Sequence, residues 1–498
     1  MYLKRVARGI SFSFILIIVG AVLAYFFRRL LATELSIDDY GMFYAMLSFF
    51  GFFMLFVDMG VEQAATKKIV ELKEQKKEYE IAHVARTILF GQLLVSIFFS
   101  IIFFLGKNMI ATYYFHNAHV TSFLWILTIW FVTTPLLTFC AYMLLGLQRT
   151  TWYTALDVGR MSIVLLFCLG LFQYNQSLYI PVLAYAIINL ILFGTTYPYI
   201  CSVCQEMRLF SKQKWSIHPK AGMEILKYAI PVALTNFGWI ILTQTDTIAL
   251  TYFTTLREVG LYNIALPISL LLLFFMRPVI IIFAPLVTEL HTAKKPEKLS
   301  EAVTMAYAYL FVLLVPFAVT LALFPEYIIP ILFGQKYSEA SPALQILAAG
   351  TVFYAFSLFN NIVYTGMGQA QKIAKSVALI CGLNVLLNIL FVGIFHLSIS
   401  GASLATTICY ILLFITSTHE LTKHISFEFP LKTWIKSMLF VAISACAVIW
   451  IKKIIIWNNL AEAMVCGMVL LLIYGALIVF TKTIDVKKTK ELFKKATA

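Results

Sequence analysis

The sequence predicts an all-α polytopic membrane protein of fourteen transmembrane helices, built as two six-helix repeats followed by two extra helices. Three observations lead there. Hydrophobic residues make up 61% of the 498 positions and charged residues only 12%, about half the share usual in soluble domains. The apolar residues fall into a train of stretches each long enough to span a bilayer, which takes roughly 20 residues. The polar residues that interrupt those stretches recur at a nearly constant offset, as Gly41-Met42-Phe43 and Gly260-Leu261-Tyr262 do.

In chain order the expected spans are 9–31, 41–65, 82–105, 120–146, 152–172, 178–200, 228–253, 260–288, 302–324, 340–364, 374–395, 399–421, 434–451 and 460–481. The first is too long for a signal-peptide core and lacks a small-x-small cleavage site, so it is expected to remain as a membrane helix. Pro135, Pro181, Pro231, Pro267, Pro278, Pro285 and Pro316 lie inside spans. Neighbouring helices or lumen water must re-satisfy the backbone groups they free.

Lysine and arginine set the orientation. With the N-terminus inside, inner segments hold 28 of the 38 basic residues and outer segments hold 7, leaving Arg86, Arg160 and Arg277 within spans. This obeys the positive-inside rule and places both termini in the cytoplasm of a cell-membrane protein. The net charge of +14 is thus topological, and the basic tail 482–498 reads as a fringe facing lipid headgroups rather than nucleic acid. The expected organisation is an N-terminal lobe (1–204), a cytoplasmic linker (205–227), a C-terminal lobe (228–422), the two extra helices (434–481) and the tail. Six spans per half entering from the same side make the repeats parallel.

The eight cysteines sit almost entirely in apolar runs, which argues against a disulfide framework. Cys201-Ser-Val-Cys204 has no second pair to complete a zinc set. His116-x-x-His119 likewise lacks further ligands, so no metal or organic cofactor is expected.

The repeat continues at Leu124-Trp-Ile-Leu127 against Leu344-Gln-Ile-Leu347 and at Leu145-Gly146 against Thr365-Gly366. On several stretches the chain resembles the polysaccharide transporter (Wzx-type flippase) branch of the multidrug/oligosaccharidyl-lipid/polysaccharide exporter superfamily. They are Asp39–Phe43, Val57–Gly60 with Thr66-Lys67-Lys68, Leu144–Arg149, Asp246 with Val259–Tyr262, and Leu332–Tyr337. The resemblance implies a MATE-like fold of two lobes around a central cavity. It implies flipping of a polyprenyl-(di)phosphate-linked oligosaccharide from the inner to the outer leaflet, for cell-surface polysaccharide or glycan assembly.

Ionisable residues at membrane depth cost several kcal/mol unless they face protein or water, and so are site candidates. Asp58, Arg86, Asp157, Arg160 and Arg277 fall in the inner half or near the inner surface; Arg28, Arg29 and Asp246 lie toward the outside. Asp157 and Arg160 share one helix face and are placed to pair. Arg277 sits beside Pro278 deep in its span, where a guanidinium can grip phosphate oxygens in a bidentate fork. Asp246 admits two readings, a rim partner for Arg28 or Arg29 and a coupling-ion carboxylate. The amides Asn236, Gln244, Asn360, Asn361, Asn384 and Asn388 serve either helix–helix hydrogen bonding or sugar contact.

The rival function within the same fold is cation-coupled multidrug export. A membrane glycosyltransferase, polymerase or ligase would need a sizeable extramembrane segment with catalytic acids or arginines. The outer loops have no such content and the inner loops no DxD-type pair. The chain is therefore expected to be no enzyme. Coupling to H+ or Na+, a monomeric state and pathway glycosyltransferases or a polymerase as neighbours complete the expectation.

Overall fold

The computed structural model describes all residues except 1, 76, 207–228, 230–237, 239, 370, 455–458, 482 and 484–498. Among the described residues it is entirely helical. Twelve helices among the described residues are long and apolar enough to cross a membrane, accompanied by two shorter apolar helices, Pro278–Thr292 and Val465–Phe480. The chain divides into two compact units, Met1–Gly260 and Leu261–Ala498. The expected linker 205–227, apart from the end of one helix, and nearly all of the tail 482–498 lie outside the described residues.

The first unit contains α1 (Tyr2–Glu34), α2 (Ile37–Asp58), α3 (Val61–Glu74), α4 (Glu78–Met109), α5 (Thr121–Gly146), α6 (Thr150–Phe172) and α7 (Tyr179–Glu206). Residues 240–253 form α8, and α9 (Leu256–Leu270) begins at the end of the unit. The span expected over 41–65 is two helices. Met59 and Gly60 take left-handed conformations (φ 40° and 71°), which a right-handed helix cannot accommodate in succession. Beyond that break α3 packs on α5 and α4, joined by a core of Ala65, Ile69, Val84, Tyr142 and Met143.

The second unit continues with α10 (Met276–Thr292), α11 (Pro296–Leu323), α12 (Pro325–Phe333), α13 (Ser341–Gly366), α14 (Gln371–Asn388), α15 (Ser398–Thr422), α16 (Leu431–Ile454) and α17 (Asn459–Phe480). The single span expected over 260–288 is interrupted by a 3-10 turn, Leu271–Phe275. Pro278 has no amide proton for the carbonyl four residues back, and its ring crowds that turn. Helices α16 and α17 are fastened to α11. The Tyr474 hydroxyl donates to the Val312 carbonyl at 2.8 Å, and the Trp434 indole N–H donates to the Tyr307 carbonyl at 3.2 Å.

Repeat-equivalent glycines make equivalent close packings. A Cβ added at Gly146 would lie 2.6 Å from the Ile69 side chain, and one at Gly366 would lie 2.8 Å from Val287. Each glycine closes its helix two residues before a left-handed position, Gln148 (φ 60°) and Gly368 (φ 73°). The same tight crossing and the same turn therefore occur in both units, as a duplicated sequence requires.

Candidate functional site

Charged and aromatic groups from α1, α2, α5, α6 and α7 gather in the first unit. Arg28 lies six residues before the end of α1, about 9 Å from it at 1.5 Å per residue. Its guanidinium carbon stands 4.5 Å from the centroid of the Tyr44 ring. Tyr40 and Tyr44 are one turn apart on α2 with centroids 4.8 Å apart. Tyr185 of α7 packs edge-on against Phe43 at 5.5 Å and meets Trp130 of α5 at 6.0 Å.

Tyr185 links two cations, for its phenol lies within electrostatic reach of both Arg28 and Arg160. Arg160 of α6 pairs with Asp157 one turn earlier, Nη2 to Oδ1 3.3 Å, with both side chains substantially exposed. Trp130, Arg160, Tyr185 and Asn189 line a small cleft. Asn189, fully buried, donates to the Thr134 hydroxyl at 3.1 Å. Tyr40 and Tyr44 are buried and Tyr185 and Trp130 half-buried, so the rings pack around the guanidinium groups, and arginine offers a rigid donor fork for phosphate oxygens.

Toward the other end of α6 the array becomes acidic. Asp58 closes α2, and its Oδ1 is buried without a hydrogen-bond partner. Glu62, just past the Met59-Gly60 break, feels the Asp58 carboxylate. Tyr153 faces both Glu62 and Asp157. Tyr153, Asp157 and Arg160 recur at helical spacing, so a line of polar groups runs along α6 from the acidic pair to the arginine–tyrosine cluster. Arg86 on α4 is half-buried and Arg29 exposed.

Other expected site residues divide clearly. Asp246 is fully buried in α8, with half-buried Gln244 two residues earlier. The exit of α8 is held by two bonds to its last carbonyls. The Tyr114 hydroxyl donates to Ile248 O at 3.4 Å, and His116 Nε2 lies 3.1 Å from Tyr252 O. His116 is thereby a helix-end partner rather than a metal ligand. Among the described residues no cluster of three metal-binding side chains occurs. Asn236 and the side chain of Arg277 lie outside the described residues; the Arg277 backbone opens α10.

In the second unit Asn360 is wholly committed to packing. Its Oδ1 accepts from the Tyr307 hydroxyl at 2.6 Å, and its Nδ2 lies 2.9 Å from both Ser417 Oγ and Thr418 Oγ1. Asn384 reaches Thr406 at 3.3 Å, and Asn388 donates to the Asn384 carbonyl at 3.0 Å. Asn360 and Asn384 tie helices together, whereas the Asn388 bond lies within α14.

Sequence reasoning missed Tyr40, Tyr44, Trp130, Tyr185, Asn189 and Glu62. A signal existed for Tyr40 and Tyr44, an aromatic pair at one-turn spacing around the start of the second expected span. None existed for Tyr185, which meets the cluster only through the folding of α7 against α5.

The fold and its charged interior define a multi-pass integral membrane transporter. The sequence matches the model of the polysaccharide biosynthesis protein family over residues 6–291, more than half the chain, and the protein belongs to that family. The MatE model matches residues 231–394, so both branches of one exporter superfamily, the multidrug/oligosaccharidyl-lipid/polysaccharide exporters, are represented in this chain. An uncharacterized membrane protein of Methanocaldococcus jannaschii, MJ1068, is 29% identical over 99% of both chains. A probable low-salt glycan biosynthesis flippase of Haloferax volcanii, Agl15, is 20% identical over 42% of this chain and 44% of its own. Among solved structures, the lipid II flippase MurJ in an inward closed conformation matches with a TM-score of 0.77. It is 16% identical, and the match covers 95% of this chain and 99% of that one. Agl15 and MurJ are flippases by name rather than catalysts, and the fold is shared with MurJ.

Proposed function

We propose that the protein flips a polyprenyl-(di)phosphate-linked oligosaccharide from the cytoplasmic to the outer leaflet for surface glycan assembly. The observation that carries this reading is the Arg28 guanidinium lying over Tyr44, with Tyr185 bridging electrostatically to Arg160. The guanidinium groups of such a cluster attract phosphate and disfavour the lipophilic cations a drug exporter would carry. The family match and the resemblance to glycan flippases support it. Transport is coupled to a H+ or Na+ gradient through buried carboxylates, of which Asp246 and Asp58 are the candidates. The protein works as a monomer beside the glycosyltransferases of its pathway, with both termini in the cytoplasm.

The test is transbilayer movement of a fluorescent polyprenyl-diphosphate oligosaccharide in proteoliposomes, followed by quenching from outside. Protein-dependent movement that falls at least tenfold in Arg28→Ala is expected. Equal movement with and without protein, alongside transport of cationic dyes, would assign the drug-export function instead.

A further inference from the structure

We propose that a cavity at one end of the second unit binds the headgroup of an anionic phosphate-ester lipid. The cavity measures about 670 Å³ and is framed by the turns that follow α10, α13 and α15. Its rim carries Lys294 and Lys295, and its floor is apolar, including buried Leu299 and Met367. Cations over an apolar floor at the lysine-rich ends of membrane helices are what lipid headgroups select, because phosphate meets the ammonium groups while glycerol and first methylenes stay dry.

Two further features point to a ligand. Gln369 lines the cavity, and its Oε1 is buried with no hydrogen-bond partner. An orphan acceptor of this kind stays desolvated without compensation until an O–H donor arrives. A phosphate ester with a hydroxylated headgroup supplies both that donor and the anion. The other feature is His424 on the opposite wall. Its Nδ1 meets the Glu420 carbonyl at 3.2 Å, and its Nε2 meets the ammonium of Lys372. That contact places the Lys372 ammonium beside a residue that lines the cavity. Lys423 is already paired with Glu420 at 2.7 Å, and Glu297 is the single acid lining the cavity.

The required chemistry could come from a bilayer phospholipid or from the phosphate of a transported lipid. The proposal rests on this cavity alone and holds whatever the transporter carries. The experiment is native mass spectrometry of the full-length protein in detergent. The probes are phosphatidylglycerol, phosphatidylcholine and undecaprenyl diphosphate, each added separately and in competition. We expect phosphatidylglycerol to be retained at least tenfold better than phosphatidylcholine. That preference should be lost in the double variant Lys294→Ala/Lys295→Ala and kept in Lys432→Ala/Lys436→Ala, whose lysines lie outside the cavity. Gln369→Leu should lower the preference for phosphatidylglycerol over phosphatidic acid, which lacks the glycerol hydroxyls. Displacement of phosphatidylglycerol by undecaprenyl diphosphate in the wild type, but not in the cavity variant, identifies the transported lipid as the natural source; no displacement identifies the bilayer. Equal retention of the two phospholipids, or equal losses in both double variants, would overturn the proposal.

Discussion

Gly41 and Gly260 sit face to face. A Cβ on Gly260 would lie 2.6 Å from the Ile37 carbonyl oxygen and 3.3 Å from the Gly41 nitrogen, while one on Gly41 would collide with the Leu256 carbonyl oxygen. Ile37 and Leu256 are themselves 219 positions apart, like the two glycines. The contact is therefore reciprocal: each copy of a repeated segment places its glycine against the carbonyl of the other. Backbone approach this close is possible only where neither partner carries a side chain.

Gly41→Ala and Gly260→Ala should each destabilise the protein by about 1–3 kcal/mol through forced overpacking. Gly51, in the middle of α2, has open space around its added Cβ, so Gly51→Ala should be neutral or stabilising by up to ~1 kcal/mol. Thermal midpoints from fluorescence-detected size exclusion would rank the three. A Gly41→Ala variant as stable as Gly51→Ala would refute the reciprocal contact.

The two glycines were readable as equivalent turns of a repeat, but their packing against each other was not. Nor was the break at Met59-Gly60. Valine, aspartate and methionine around it read as a continuing apolar span, and only the left-handed backbone divides α2 from α3. The clustering of Arg28 with Tyr44 and Tyr185 was illegible for a different reason. It depends on which faces of α1, α2 and α7 meet, and three nearly uniformly apolar helices carry little periodicity from which to read a face. The lysine asymmetry, in contrast, is a property of loops and survives any uncertainty in helix rotation.

Asn360 should matter for stability and not for substrate choice. Bonds of this kind inside membranes average about 0.6 kcal/mol, and Asn360 makes three close contacts. Asn360→Ala should therefore cost about 1–3 kcal/mol, because Ser417 and Thr418 lose a donor and Tyr307 keeps only its contact with Thr418 at 3.1 Å. The variant's thermal midpoint should fall, while flipping per folded molecule, measured with short and long glycans, keeps the wild-type ratio. A changed ratio at unchanged stability would return Asn360 to the substrate path.

Tyr44 offers a sharper test of the cluster than arginine removal does. A cation over an aromatic face is worth about 0.5–2 kcal/mol, and the ring supplies it rather than the hydroxyl. Tyr44→Phe should flip substrate within about twofold of wild type, whereas Tyr44→Leu should lose roughly fivefold or more. Equal loss in both would mean that the hydroxyl, not the ring, is the working group.

Orientation can be decided with two residues separated by one long helix. Lys294 precedes α11 and Glu339 lies beyond α12, and both are exposed. Helix α11 has 28 residues, about 42 Å at 1.5 Å per residue, enough to cross the roughly 30 Å hydrocarbon core. The two positions must then lie on opposite sides of the membrane. By the excess of lysine and arginine in one set of loops, Lys294 is expected inside. In a cysteine-free background, Glu339→Cys should react with an impermeant maleimide in intact cells, while Lys294→Cys should react only after permeabilisation. Lys212→Cys in the segment between the expected lobes should behave like Lys294→Cys. The reverse pattern at all three would invert the protein in the membrane, and would move the lysine-rimmed cavity to the outer leaflet.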